Sequence, residues 1–361
     1  MEKEANLNPY IDRLNRKIDL SMEEATSAMS IIMSADVPDS QKAAFLTALQ
    51  AKGPTIEEIA SFAFAIRKIA RQVETKDIKK DKALADTCGT GGGAIETFNV
   101  STTSMFILSA SGMAVAKHGN RAITSRCGSA DVLEELGVNI KMEPEKASRC
   151  LAEIDIAFFF APLYHGAFKN IQKVRREIGI PTVFNILGPL VNPAFSSAYK
   201  NEIKTVQILG VNNEKLVDRM VRVLKILNLS RAMVVYGQGS EDNSGMDEIS
   251  TIGDTRICEL TDAGEFRDYV INPQGLGMEL AKPKDLIGGT PKENARILLD
   301  ILSGKERGPK RDIVLINAAA GLYLGGRAKN LQEGIKVASD CIDSAAALKK
   351  LELLRRYSCQ C

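Results

Sequence analysis

Near residue 83 the spacing of apolar residues changes, from a helical period to short β-prone runs set between helical stretches. Such a chain needs two kinds of layer, a helical unit and an α/β unit, because the two periods bury different faces. Upstream, Ser21 and Glu24 have the spacing of a capping box, and Ala25, Ala28, Met29, Ile32 and Met33 then recur at helical intervals. A second helix, around SQKAAFLTALQAK, should stop at Gly53. Thr55 and Glu58 open a third, with a buried stripe of Ile59, Phe62, Ala63, Ile66 and Ile69. Downstream, ALADTC, MAVAK, IAFFFA, TVFNIL, TVQILGV, RAMVVYG and TRICEL read as strands alternating with helices, the pattern of a largely parallel sheet. The C-terminal third returns to helix and ends in RRYSCQC, a tail expected to fray. The expected fold class is therefore α/β: a small N-terminal all-helical domain over residues 1–80 and a larger α/β domain over 81–361 with a central, mostly parallel sheet.

Composition narrows the function classes. The 47 basic and 45 acidic side chains leave a net charge of +2, which argues against a dedicated nucleic-acid or membrane-surface binder. No apolar run approaches the roughly 20 residues that span a bilayer, and the charged N-terminus has no apolar signal core, so a cytoplasmic protein is expected. Seven cysteines are scattered without a CxxC pair, and the 2 histidines, His118 and His165, are too few for His-rich metal chemistry.

Chemistry concentrates in four segments. In the first, a predicted strand ends at Cys88 and opens into Gly89, Thr90, Gly91, Gly92 and Gly93, where backbone N–H groups can turn toward an anion. The string satisfies G-x-G-x-x-A, but ETFNVST intervenes before any helix, so neither a dinucleotide fingerprint nor a Walker A loop fits. Asn99, Ser101 and Thr102 then precede an apolar helix, at the end where the dipole favours phosphate. The second, KHGNRAITSRCGSAD, places Lys117, His118, Asn120, Arg121, Ser125, Arg126 and Ser129 after the next strand. Two anion loops at adjacent strand ends suit a substrate with more than one phosphate. The third, GMDEIS, sets Asp247 and Glu248 side by side in a loop, where both can converge on magnesium. The fourth, residues 158–194, places His165 past an apolar strand and Arg175 and Arg176 on a helix. An arginine beside an apolar wall suits an aromatic carboxylate, while this segment taken alone reads better as a surface helix with a basic edge. From the residues alone, the chain is a magnesium-dependent enzyme acting on a polyphosphorylated substrate, with the acceptor open.

The ordered set GTGG, TFNVST, VAKHGNR, GSADVLE, VRREIG, FNILGPLVNPA and DEIS closely resembles the anthranilate phosphoribosyltransferase family, from about residue 10 to about 345. The resemblance implies transfer of phosphoribose from 5-phosphoribosyl 1-pyrophosphate to anthranilate in tryptophan biosynthesis. It implies a homodimer formed through the helical domain, which helices near 165–195 would join. The phosphoribosyl pyrophosphate site would draw on Gly89, Gly92, Gly93, Thr97, Asn99, Val100, Ser101 and Thr102 in one loop. Lys117, His118, Gly119, Asn120, Arg121, Ser125 and Ser129 would serve it from the other. Ser101, Asp247 and Glu248 would hold two Mg2+ ions; Gly89, His118, Asn120, Pro162, His165 and Arg175 would hold anthranilate, with Lys117 and His118 catalytic. Two departures stand out: Gly93 replaces the acid of the usual GTGGD, the loop acid coming later as Glu96, and Gly166 replaces the usual proline after His165. Other readings are a pyrimidine nucleoside phosphorylase-like enzyme and a non-catalytic paralogue that binds nucleotide or nucleic acid.

Overall fold

The computed structural model describes residues 6–122, 125–240 and 244–360. Four helices come first: α1 (Asn8–Asn15), α2 (Met22–Ile32), α3 (Asp39–Lys52) and α4 (Ile56–Ile69). Both capping boxes form, Ser21 with Glu24 and Thr55 with Glu58, and Gly53 ends α3 at φ +82°. Ile59, Phe62, Ala63 and Ile66 are buried as expected, whereas Ile69, at the last position of α4, is 48% exposed.

From residue 84 strands and helices alternate: β1 (Leu84–Gly89), α5 (Val100–Ala110), β2 (Ala114–Gly119), α6 (Ser129–Glu135), α7 (Pro144–Ile154) and β3 (Ile156–Phe160). Four helices follow without a strand: α8 (Ala161–Tyr164), α9 (Lys169–Ile178), α10 (Phe184–Leu187) and α11 (Pro193–Lys200). The sheet then resumes with β4 (Thr205–Gly210), α12 (Val217–Ile226), β5 (Arg231–Gln238), β6 (Gly245–Met246), β7 (Thr255–Leu260) and β8 (Phe266–Ile271). Helices α13 (Pro291–Leu302), α14 (Pro309–Leu324), α15 (Leu331–Asp343) and α16 (Ala346–Cys359) complete the chain. TVFNIL is not a strand: residues 184–187 form α10, between Pro181 and Gly188. The tail does not fray before Cys359, the end of α16, and Cys361 lies outside the described residues.

The sheet runs β3-β2-β1-β4-β5-β7-β8; β3 to β5 are mutually parallel, while β6 and β7 pair antiparallel with β5, and β8 with β7. β1 to β3 therefore grow one way and β4 to β5 the other, which makes the carboxyl ends of β1 and β4 the point where strand order reverses. Open α/β sheets bind ligands in the crevice at such a point. The two units meet through residues of the strandless stretch and through α12, on which α4 packs. The buried Lys42 on α3 donates to the Asn170 carbonyl (2.9 Å), and Asn170 Nδ2 donates to the Met33 carbonyl (2.9 Å).

Candidate active site at the sheet's reversal point

Gly89 and Gly210 end β1 and β4 in register with each other. A Cβ on Gly89 would collide with the Asp247 carboxylate, and one on Gly210 with the Asp247 backbone. Both strands must therefore end in glycine for Asp247 to sit in the crevice. Asp247 Oδ2 accepts the Gly91 N–H (2.8 Å), and Asn212 Nδ2 donates to the carbonyls of Gly91 (2.7 Å) and Gly92 (3.2 Å). Gly91 and Gly92 both adopt φ +75°, a conformation that side chains resist. The glycine string is thus a fixed loop, tied to β4 and to the acid pair. At Gly93 an added Cβ would lie 3.2 Å from Met246 Cα and 3.4 Å from Asp247 Oδ1, a crowded place for the family's usual acid. Glu96 instead pairs with Arg126 of the second loop at 3.0 Å.

Asn99 stands at the N-cap of α5 but makes no capping bond. Its Nδ2 donates to the Cys127 carbonyl (3.1 Å) and its Oδ1 accepts from Asn294 (3.0 Å), so it joins the two loops. Val100 and Thr102 are buried, Thr97 pairs with Ile287, and Ser101 lies in the first turn of α5. Lys117 is 3% exposed; its ammonium donates to the Thr87 carbonyl and approaches Ser101 Oγ at 3.3 Å. It therefore lies behind Ser101 and is not an exposed cation, a placement the loop reading did not foresee. Its charge bears on two acids, Asp86 and Glu248. Burial raises Asp86, whose Oδ2 accepts from Asn192 (2.9 Å). Burial and the neighbouring Asp247 push Glu248 up to about 8, and burial raises Asp247 as well. Two crowded carboxyls with raised proton affinity are the groups a divalent cation would relieve. With Ser101 beside them, the residues present fit magnesium.

In the second loop, Gly119 passes so close to Ser129 that a Cβ would strike its Oγ, which donates to the Asn120 carbonyl (3.3 Å). Arg121, also in this loop, already has acidic partners. Its guanidinium pairs with Asp131 (3.0 Å) and Glu134 (2.8 Å) on α6 and lies over the Phe160 ring, so its charge is already committed. Ser125 and Arg126 are exposed.

The acceptor side is aromatic. His118 and His165 meet edge to face at 5.0 Å; His165 meets Phe168 at 5.6 Å, and Phe168 meets Phe184 at 5.6 Å. Arg175 caps this chain of rings, its Cζ 5.3 Å from the Phe184 centroid. Burial drives the His118 pKa well below its ordinary value and that of His165 to about 4, so both are neutral at pH 7. Pro162 is exposed on α8. Sequence reasoning missed Gly210, Asn212, Asn317 and Arg67, each of which acts through a contact far along the chain. Asn317, buried on α14, clamps both backbone groups of Ile249, accepting its N–H and donating to its carbonyl, each at 2.9 Å.

The family model described as "Glycosyl transferase family, helical bundle domain" matches residues 8–70, and "Glycosyl transferase family, a/b domain" matches 81–348. The anthranilate phosphoribosyltransferase of Methanobrevibacter smithii is 46% identical over 340 residues, 94% of this chain and 96% of that protein. This chain belongs to the anthranilate phosphoribosyltransferase family. The family's enzyme from Saccharomyces cerevisiae, solved in complex with PRPP and Mg, superposes with a TM-score of 0.86 at 29% identity, covering 99% of this chain and 98% of that one. The same yeast enzyme, in complex with 4-fluoroanthranilate, gives 0.85 at 28% identity, with 99% and 98% covered.

Proposed function

We propose that this phosphoribosyltransferase moves the phosphoribosyl group of 5-phosphoribosyl 1-pyrophosphate onto the amine of anthranilate. The products are N-(5-phosphoribosyl)anthranilate and pyrophosphate, and the step belongs to tryptophan biosynthesis. The observation that carries the reading is the meeting of the glycine loop, the start of α5 and the Asp247–Glu248 pair where strand order reverses. In the reaction the bond from the ribose anomeric carbon to pyrophosphate oxygen breaks, a bond to the anthranilate nitrogen forms, and the nitrogen loses a proton. The aryl amine is neutral at pH 7 and needs no base before attack. The loop N–H groups and the α5 N-terminus bind the phosphates, so positioning and preorganised electrostatics supply the rate. Bound magnesium, held by Asp247, Glu248 and Ser101 as two ions, supplies charge neutralisation on the pyrophosphate. Lys117 balances the acids beneath it and orients the Ser101 hydroxyl. The low proton affinity of His118 suits it to orient the amine, and His165, Asn120, Pro162 and Arg175 complete the acceptor side.

The helical domain, residues 1–80 joined by the helices near 165–195, is proposed as a homodimer surface. Exposed Met22 and Ile69 on α2 and α4 are consistent with that, and sedimentation velocity at micromolar concentration tests it. A cytoplasmic location without nucleic-acid or membrane partners is proposed with it; among the described residues no helix is long and apolar enough to cross a membrane. Product analysis tests the transfer itself. Anthranilate consumed and pyrophosphate released should be equal in amount, and pyrophosphate released without loss of anthranilate would contradict the acceptor.

A further inference from the structure

Arg67 lies on α4, is 4% exposed, and pairs with no carboxylate among the described residues. Its Nε donates to the Leu190 carbonyl (2.8 Å), its Cζ sits 5.8 Å from the Phe195 ring centroid, and its Nη2 is buried without an acceptor. Burying a guanidinium without a counter-charge is costly, and here it presses the pKa down to about 10. Holding one carbonyl does not require a charge, since a glutamine amide can do that. The unpaired edge is what needs an explanation.

Its surroundings supply one. Four successive carbonyls of the 188–191 turn are faced by four side chains: Gly188 by His118, Pro189 by Gln207 (2.8 Å), Leu190 by Arg67 and Val191 by His165. Arg67 thus shares one wall with both histidines, and its charge acts on each of them. The approaches of His118 and His165 to that turn are not well-formed hydrogen bonds, and His118 Nε2 and both His165 ring nitrogens remain unpartnered. Arg67 Nη2 is therefore one of several buried polar atoms left open beside the ring chain. Arg175, the cation expected to meet the acceptor carboxylate, is stacked on Phe184 at the other end of that chain.

We propose that Arg67 is a specificity-determining cation of the acceptor site, its free Nη2 edge holding the carboxylate of an ortho-amino aromatic acid. The proposal rests on the transferase reading above. An anionic acceptor supplies the missing counter-charge, and a neutral aromatic amine leaves the guanidinium buried and unpaired. The helical domain thereby contributes a residue to the specificity of a reaction whose other parts lie on the sheet.

The test is steady-state transfer by the full chain at saturating 5-phosphoribosyl 1-pyrophosphate and magnesium. It compares anthranilate with 2-aminobenzamide, in which an amide replaces the carboxylate. Arg67→Gln should raise the anthranilate KM about tenfold or more, leave the phosphoribosyl pyrophosphate KM within about twofold, and shrink the preference for acid over amide by a similar factor. Arg67→Lys, which keeps the charge, should recover part of that preference. If Arg67→Gln does not fold, Arg67→Lys carries the test: the KM for anthranilate should rise by a larger factor than that for 2-aminobenzamide, so that the preference narrows without disappearing. Equal losses on both acceptors, with the preference unchanged, would overturn the proposal and leave Arg67 as a support for the 188–191 turn. A wild-type protein inactive with anthranilate would overturn the transferase reading, and this proposal with it.

Discussion

At Gly89 and Gly210 a methyl group would enter space already held by Asp247, but the two collisions differ in kind. Against Gly89 stands a carboxylate, which can swing aside; against Gly210 stands backbone, which cannot. Gly89→Ala should therefore keep its melting temperature within a few degrees and lose turnover about a hundredfold, because the displaced carboxylate no longer meets the phosphate site. Gly210→Ala should lose about 1–3 kcal/mol of stability as well. Gly166 has nothing within 4 Å of an added Cβ, so Gly166→Ala should stay within about 0.5 kcal/mol of wild type. Thermal melts with parallel rates separate the three. The histidines give a pH prediction. Both have folded pKa values below their ordinary value, so the unfolded chain binds more protons in that interval. Stability should be fully present above pH 6.5 and fall as pH drops from 6.5 toward 4. His165→Phe, which cannot protonate, should flatten that fall in melts recorded against pH, and an unchanged slope would show that His165 does not titrate there.

At the scale of elements, the loop carrying the acid pair is held from α14. Asn317→Leu keeps the size of the side chain but strands the N–H and carbonyl of Ile249 without partners. Each stranded group costs about 1–3 kcal/mol, and Glu248, one residue away, should bind magnesium more weakly. Calorimetric titration with magnesium in the presence of 5-phosphoribosyl 1-pyrophosphate checks this; wild-type affinity in the variant would contradict it. This clamp also shows where sequence reading ends. The capping boxes, the glycine loop and the alternation after residue 83 were legible because their signals are local. The β-prone residues of TVFNIL gave the wrong element, because the flanking proline and glycine confine it to one short helix between sheet-building stretches. FRDYVI was not read as a strand: an edge strand with no fully buried side chain carries no buried run to announce it. Gly210, Asn317 and Arg67 act on residues 247, 249 and 190, and no local pattern encodes such partners.

For the whole molecule, the reversal of strand order between β1 and β4 brings one site together from residues as distant as Thr87 and Asn317. The helical unit packs against α12 and against the strandless stretch between β3 and β4, and through the latter Arg67 reaches the same turn that faces the two histidines. On the proposed reading, the acids are the part of this assembly that the reaction cannot do without. Asp247→Asn combined with Glu248→Gln should leave the fold intact and abolish turnover, and retained activity would remove these residues from the metal site. The most direct measurement follows anthranilate fluorescence after mixing purified protein with anthranilate, 5-phosphoribosyl 1-pyrophosphate and magnesium. The predicted result is a decay that requires all three components and stops on addition of EDTA. A constant signal from folded protein that binds 5-phosphoribosyl 1-pyrophosphate, or a decay that continues in EDTA, would contradict the account.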